Sequence, residues 1–365
     1  MLNTESYTPP KWMHDAIDTA KLPAKKVKLA NLPTPIHKFR SNELESLGLE
    51  VHIKRDDLTS CDLSGNKVRK LEFLLSEAIE ESHDCVITIG GEQSNHCRAT
   101  AVACRQLGID PYIIIRTDKA PSELSLTGNL LLSRMVGSHV RTVSPDIYYK
   151  IGSDEVVHQL AESLKLEGKN PYCIPVGGSN VQGTFGYLNA MAEIASQCGG
   201  EVDYDHIVFA CGSGGTAAGI AIGNRLLGSR ARVHAVCVCD TPDEFYESIG
   251  DLAVGLGIDI SPSGPLGSPR DWLDIYPGEG LGYALTTDEE LNFLCSIASE
   301  SGLLFDQVYS GKALYHLMLV AKARSDVFQP GHRVLFIHTG GILGLYNSIE
   351  RIRPQGSVQA MNLTD

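Results

Sequence analysis

The sequence predicts an α/β fold: open, mostly parallel sheets with helices on both faces. Three observations carry this. Short apolar runs such as Cys85–Ile89 and His206–Cys211 have the unbroken hydrophobicity of strands buried on both faces. The runs end in glycine-rich turns, Gly90-Gly91, Gly212-Ser213-Gly214-Gly215 and Gly340-Gly341. Apolar residues at helical spacing follow the first two turns, so strand, loop and helix recur in the order that crossover-connected parallel strands require. In such sheets ligands sit at the carboxyl ends of the strands, where these turns fall.

In chain order, a proline-rich entry, Leu32-Pro33-Thr34-Pro35-Ile36, precedes an alternating strand over Leu49–Asp57. A helix then opens at Ser64-Gly65-Asn66-Lys67, with Ser64 as the expected N-cap and Gly65 allowing close backbone approach. Its apolar face is Val68, Leu71, Leu74, Leu75, Ala78 and Ile79, which places Lys67 in the first turn. The Cys85–Ile89 strand leads through Gln93-Ser94-Asn95 into a helix ending at Leu107. Pro111–Arg116 is the next strand, with a helix around Leu124–Met135 after it. Tyr172–Gly178 closes the first half, and the helix Asn180–Gln197 marks the crossover. The second half holds strands at His206–Cys211, Arg232–Val238 and Arg333–Ile337. Gly257–Gly282, rich in glycine and proline, reads as a loop near the site.

The bulk properties narrow the partners. At 365 residues, 43% apolar and 21% charged, the chain has room for two domains with sizeable cores. A net charge of −13 argues against a nucleic-acid or anionic-membrane surface. No apolar run is long enough to span a bilayer. Met1–Lys28 lacks the apolar stretch of a secretory signal, so the expected compartment is the cytoplasm. Ten cysteines are scattered without paired C-x-x-C spacing and read as reduced thiols; Cys237 and Cys239 alternate along a strand and read as core packing.

The chemistry lies in the turns. A lysine in a first helical turn opposes the helix dipole, so something must compensate. Lys67 and Lys70 share a face; one can form an imine with a carbonyl cofactor while the other meets its phosphate. Gly212-Ser213-Gly214-Gly215-Thr216 offers backbone N–H groups and two hydroxyls as a phosphate cradle. With Ala217 the same residues fit G-x-G-x-x-G/A, and Asp240 ends the next strand, which leaves a nicotinamide-dinucleotide site as an alternative. Gln93-Ser94-Asn95 is a second cradle, suited to a carboxylate. Tyr283 and Tyr309 flank turns, where they can present hydroxyls, and Thr339 can address a ring nitrogen. There is no metal-ligand cluster and no Ser-His-Asp pattern. A lysine, a phosphate cradle, a carboxylate cradle and a ring-nitrogen partner together point to pyridoxal 5'-phosphate and an amino-acid substrate.

Four blocks carry a resemblance: Ser64-Gly65-Asn66-Lys67-Val68-Arg69-Lys70-Leu71-Glu72, Gly90-Gly91-Glu92-Gln93-Ser94-Asn95-His96, Asp306-Gln307-Val308-Tyr309-Ser310-Gly311-Lys312-Ala313 and His338-Thr339-Gly340-Gly341. Together they resemble the fingerprints of the D-cysteine desulfhydrase and 1-aminocyclopropane-1-carboxylate deaminase family, in its order, from about residue 30 to 350. The resemblance implies a type II pyridoxal-phosphate fold, like tryptophan synthase β, in a homodimer. A small domain, 64–178, would be inserted into a large one formed by 1–63 and 179–365. Lys67 would be the Schiff-base lysine and Lys70 a phosphate ligand, with Asn66, Asn95 and the loop Gly212, Ser213, Gly214, Gly215 and Thr216 around the cofactor. Gln93 and Ser94, beside Asn95, would hold the substrate carboxylate. Tyr283 and Tyr309 would lie over the substrate, and Thr339 would face the pyridine nitrogen. The base would be Lys67 or Tyr309. The deaminase branch has Glu after the tyrosine and Leu between the histidine and the glycines, whereas this chain has Ser310 and Thr339, like the desulfhydrase branch. The implied activity is therefore a lyase reaction, α,β-elimination of D-cysteine, with the deaminase activity as the alternative.

Overall fold

The structure, a computed structural model, describes residues 4–358. Its strands are β1 (Thr4–Ser6), β2 (Lys25–Val27), β3 (Ile36–Lys38), β4 (Glu50–Lys54), β5 (Cys85–Gly91), β6 (Asp110–Arg116), β7 (His139–Val143), β8 (Pro171–Cys173), β9 (His206–Cys211), β10 (Arg232–Cys237), β11 (Asp274–Pro277) and β12 (Arg333–Ile337). A four-stranded sheet runs β7-β6-β5-β8, parallel throughout. A six-stranded sheet runs β11-β10-β9-β12-β4-β3, parallel except for the edge pair β3-β4. β1 and β2 form a separate antiparallel ribbon. The helix Val181–Gln197 carries the chain from the smaller sheet into the larger.

Apolar strands buried on both faces need helices on both, and these are present. One face of the six-stranded sheet packs on the helices Val181–Gln197, Gly215–Leu226 and Pro242–Gly255. The other packs on Asp288–Ser301 and Ser310–Ala323. The helices Lys67–Glu80 and Asn95–Leu107 cover one side of the smaller sheet.

Two sequence expectations are corrected. Gly257–Gly282 is not all loop, because it contains the edge strand β11, ended by Pro277. Proline cannot donate to a ladder, so a strand that stops there is short and leaves little periodicity to read. Ser64 does not cap the Lys67 helix either. It has φ +33, and its hydroxyl donates to Asp57 O at 3.0 Å. The helix starts at Lys67, and Asn66 precedes it without a side-chain cap.

A buried ion network holds the start of this helix from beneath. Arg69 donates to both oxygens of Asp56 at 2.8 Å and to Glu193 at 2.9 and 3.1 Å. Tyr187 and Thr34 also donate to Asp56, at 2.6 and 2.7 Å, and Lys54 pairs with Glu193. Burial alone would push the Asp56 carboxyl up, but the Arg69 guanidinium, with Lys54 and the Tyr187 hydroxyl, outweighs it and holds Asp56 below the usual range.

Candidate active site

The carboxyl ends of β5, β6, β9, β10 and β12 converge on a cavity of about 310 Å³ whose wall comes from both sheets. Lys67 stands in that wall. The turn before it is pinned on two sides, with Asn66 N donating to Thr339 O at 3.0 Å and Asn66 Nδ2 donating to Thr216 Oγ1 at 3.0 Å. Gly65 has φ +94, and a Cβ there would lie 2.7 Å from Thr339 O, so this approach requires glycine. No hydrogen bond among the described residues reaches Lys67 Nζ. Burial pushes its amine down to about 8. The result is an unpaired amine at the cavity, closer than an ordinary lysine to its neutral, nucleophilic form near physiological pH.

Opposite stands the cradle before the helix Gly215–Leu226, with Gly212, Ser213, Gly214 and Thr216 in the wall. Gly215 lies one layer behind. Its N–H donates to Ser179 Oγ at 3.1 Å, and Ser179 Oγ donates to Ser213 Oγ at 2.9 Å. Lys70 is also behind the wall and donates to Gly177 O at 3.1 Å and Ser179 Oγ at 3.3 Å. A Cβ on Gly215 would fall 2.8 Å from Ser179 Oγ and 2.9 Å from Lys70 Nζ. Burial, with Lys67 adding to it, depresses the Lys70 amine well below its ordinary value. An anion in the cradle would reverse that shift by favouring the charged amine. Helix-start amides, hydroxyls and a buried amine together make a donor set suited to an anion.

On a third side, Thr339 faces the cavity and is backed by Ser310. Thr339 N donates to Ser310 Oγ at 3.1 Å, and the two hydroxyl oxygens are 3.0 Å apart. Either can rotate to donate, so the pair can offer a proton or a lone pair to a ring nitrogen, and in neither state does it carry charge. Asp306 anchors this corner by accepting from the backbone N–H of Val308, Tyr309 and Ser310 at 2.7 to 3.0 Å. Tyr283 and Tyr309 close the cavity, with their hydroxyls 2.8 Å apart. Burial raises both phenols, so both are neutral at physiological pH.

Ser94 and Asn95 line the cavity at the start of the helix Asn95–Leu107. Ser94 Oγ caps it, accepting from Cys97 N at 3.1 Å, and keeps its own proton for a ligand. Gln93 does not join them, contrary to the expectation from sequence. Its amide is spent on Asn129 N at 2.9 Å and Thr127 O at 3.2 Å, which turns it away from the wall. The partners lie more than thirty residues along the chain, beyond any local pattern. The wall also holds residues that the sequence reading passed over. His96 donates through Nε2 to Thr88 Oγ1 at 3.0 Å, because Thr88 gives its own proton to Ile174 O, and this leaves His96 Nδ1 a buried acceptor without a partner. Cys211 and Cys239 line the cavity as well; Cys239 sits beyond the end of β10, where it packs against the core and its thiol also donates to Gly212 O at 3.1 Å. Arg116, Tyr148 and Tyr149 form the mouth. A lone arginine after an apolar strand, at the end where ligands sit, was the available signal for the first.

Residues 27–340 match the family described as pyridoxal-phosphate dependent enzyme. The chain belongs to the pyridoxal-phosphate-dependent enzyme family. Within that family it is similar to the bifunctional D-cysteine desulfhydrase/1-aminocyclopropane-1-carboxylate deaminase, mitochondrial, of Arabidopsis thaliana, at 46% identity over 96% of this chain and 86% of the relative. It is also similar to the D-cysteine desulfhydrase of Yersinia enterocolitica, at 34% identity over 87% of this chain and 97% of that one. Among solved structures, one described as an ACC deaminase homologue superposes with a TM-score of 0.79 at 34% identity, covering 94% of this chain and 98% of the other. The fold is thus the α/β, mostly parallel arrangement of the type II pyridoxal-phosphate enzymes, and the cofactor is pyridoxal phosphate. Membership removes the nicotinamide alternative that Gly212–Ala217 and Asp240 left open.

Proposed function

We propose that this chain is a lyase that eliminates hydrogen sulfide from D-cysteine, giving pyruvate, hydrogen sulfide and ammonia with the uptake of one water. The observation that carries this reading is the uncharged hydroxyl pair of Ser310 and Thr339 at the ring-nitrogen corner. A carboxylate there would keep the nitrogen protonated and strengthen the electron sink, as the opening of a cyclopropane demands; hydroxyls do not hold that charge. Loss of a thiolate, a good leaving group, proceeds with the weaker sink. The name of the Yersinia relative supports the same reading, and that of the Arabidopsis relative includes it beside the deaminase activity.

The donor set fits the cofactor. Lys67 would take its aldehyde, the 212–216 cradle with Lys70 behind it its phosphate, and Thr339 its ring nitrogen, with Asn66 and Asn95 alongside. The missing side chain at Gly215 lets Ser179 and Lys70 close against the cradle from behind, which supports the phosphate assignment. When bound, pyridoxal phosphate supplies an electron sink for the pair released at Cα. The N-terminal amides of the helix after Ser94, with its hydroxyl, orient the substrate carboxylate. Lys67, an amine of lowered basicity, would move the Cα proton, and the Tyr283–Tyr309 pair would hand a proton to the departing sulfur.

Two expected results arise here. Given D-cysteine, L-cysteine and 1-aminocyclopropane-1-carboxylate in parallel, the holoenzyme should release pyruvate and sulfide from D-cysteine alone. Dominant 2-oxobutyrate from the cyclopropane would overturn the choice of substrate. Second, apoprotein should take up pyridoxal phosphate faster as pH rises, since the neutral amine attacks. The rate should level off above about 8, the value to which burial brings Lys67, whereas an ordinary lysine would drive the rise on toward 10.5. A rate still climbing at pH 10 would move the reactive amine elsewhere.

The reading extends to a homodimer in the cytoplasm. No helix among the described residues is long and apolar enough to cross a membrane. All ten cysteines are free thiols, which supports a reducing compartment.

A further inference from the structure

Arg116 ends β6 with its guanidinium in the cavity wall. Three tyrosine rings surround it. Its Cζ lies 4.9 Å from the centroid of Tyr148, 5.4 Å from that of Tyr149 and 5.7 Å from that of Tyr283. One N–H donates to Tyr149 Oη at 2.9 Å. Among the described residues no carboxylate comes within ion-pair distance of it, although Asp240 shares the same wall. Aromatic faces hold a guanidinium in place without using up its in-plane donors. A half-buried cation is therefore aimed into the cavity with most of its N–H groups unspent.

The cavity also has a vacancy for such a group. Of the two side chains expected to grip a carboxylate, Gln93 is committed to Asn129 and Thr127, which leaves Ser94. The β5-β6 ladder sets Arg116 directly opposite Gly91, three residues before Ser94, so the two donors rise from neighbouring strand ends. Resting on the reading of the chain as an amino-acid lyase, we propose that Arg116 is a specificity-determining residue that pairs with the substrate carboxylate beside Ser94, in the place that Gln93 does not fill. A planar guanidinium matches a carboxylate in two-point geometry, and it discriminates against neutral analogues, which an amide does only weakly.

The test compares wild-type holoenzyme with Arg116→Gln and Arg116→Lys on D-cysteine and on D-cysteinamide, whose carboxamide is uncharged. Arg116→Gln should raise KM for D-cysteine about ten- to a hundredfold. It should leave kcat within about threefold and KM for D-cysteinamide unchanged. Arg116→Lys should recover part of the loss, and cofactor absorbance and melting temperature should match wild type. Equal losses on the acid and the amide would show that Arg116 only braces the tyrosines, and an unchanged KM for D-cysteine would overturn the assignment outright. A spectral titration of the three holoenzymes with D-alanine and D-alaninamide, which carry no leaving group, reads carboxylate binding without turnover. If wild type proves inactive on D-cysteine, the lyase reading fails, while the ratio of D-alanine to D-alaninamide affinity still decides the role of Arg116.

Discussion

Lys67→Ala is expected to lower turnover by at least about a thousandfold and to strip the purified protein of its yellow colour. Lys67 is the lysine that lines the cavity, and its amine is held free of partners. Lys70 cannot substitute, because it sits behind the wall and is occupied by Gly177 O and Ser179 Oγ. The cradle at the start of the helix Gly215–Leu226 is untouched in this variant, so pyridoxal phosphate should still bind, reversibly, and be lost on dialysis. Absorbance before and after dialysis, with pyruvate release from D-cysteine, checks both parts. A variant that stays yellow and active would remove Lys67 from the chemistry.

Arg69→Met is expected to cost about 3–5 kcal/mol of folding stability, the usual loss when one member of a buried ion network goes and its partners stay. Asp56 would keep only Tyr187 and Thr34 as close donors in the interior, and Glu193 would keep Lys54. The midpoint of urea unfolding measures this, and a loss below about 1 kcal/mol would show that the network is not holding the helix. The pH dependence has a definite sign. Asp56 has its native pKa below the unfolded value, so its contribution is complete above about pH 4 and is lost as pH falls through the native value. The variant should therefore lose less on acidification than wild type. The network lies one turn beneath Lys67, so a loosened helix start should also weaken cofactor retention.

Much of this architecture is legible from local pattern. The unbroken apolar runs of β5 and β9, and the glycine turns after them, locate the strand ends where the cavity forms. Lys67, Ser94, Tyr309 and Thr339 lie in or beside such turns, and all four reach the wall. What escaped depends on partners far along the chain. Gln93 looks like a ligand until Asn129 takes its amide, and Arg69 looks like a surface arginine until Asp56 and Glu193 close around it. β7 alternates charged and apolar residues at an exposed edge, and β11 stops at a proline, so neither resembles the buried strands around it. Arg116 was hidden differently: it reads as the polar stop of a strand, and only the folded chain shows it in the cavity wall with three tyrosine rings around it.

The position of β12 has a consequence for how the protein is made. This last strand lies in the middle of the six-stranded sheet, between β9 and β4, and pairs Arg333 with Glu50 across most of the chain's length. During synthesis from the amino end, the strands of the four-stranded sheet have all left the ribosome when Cys173 emerges, and that sheet can close on its own. The larger sheet cannot. Its two halves, β3-β4 and β9-β10-β11, must wait with open edges until Arg333–Ile337 arrives to join them. The same strand brings Thr339, so the cavity wall is completed at the moment of topological closure. Nascent chains short of Ile337 should therefore depend on chaperones to shield those edges, and no such fragment can make a premature catalyst.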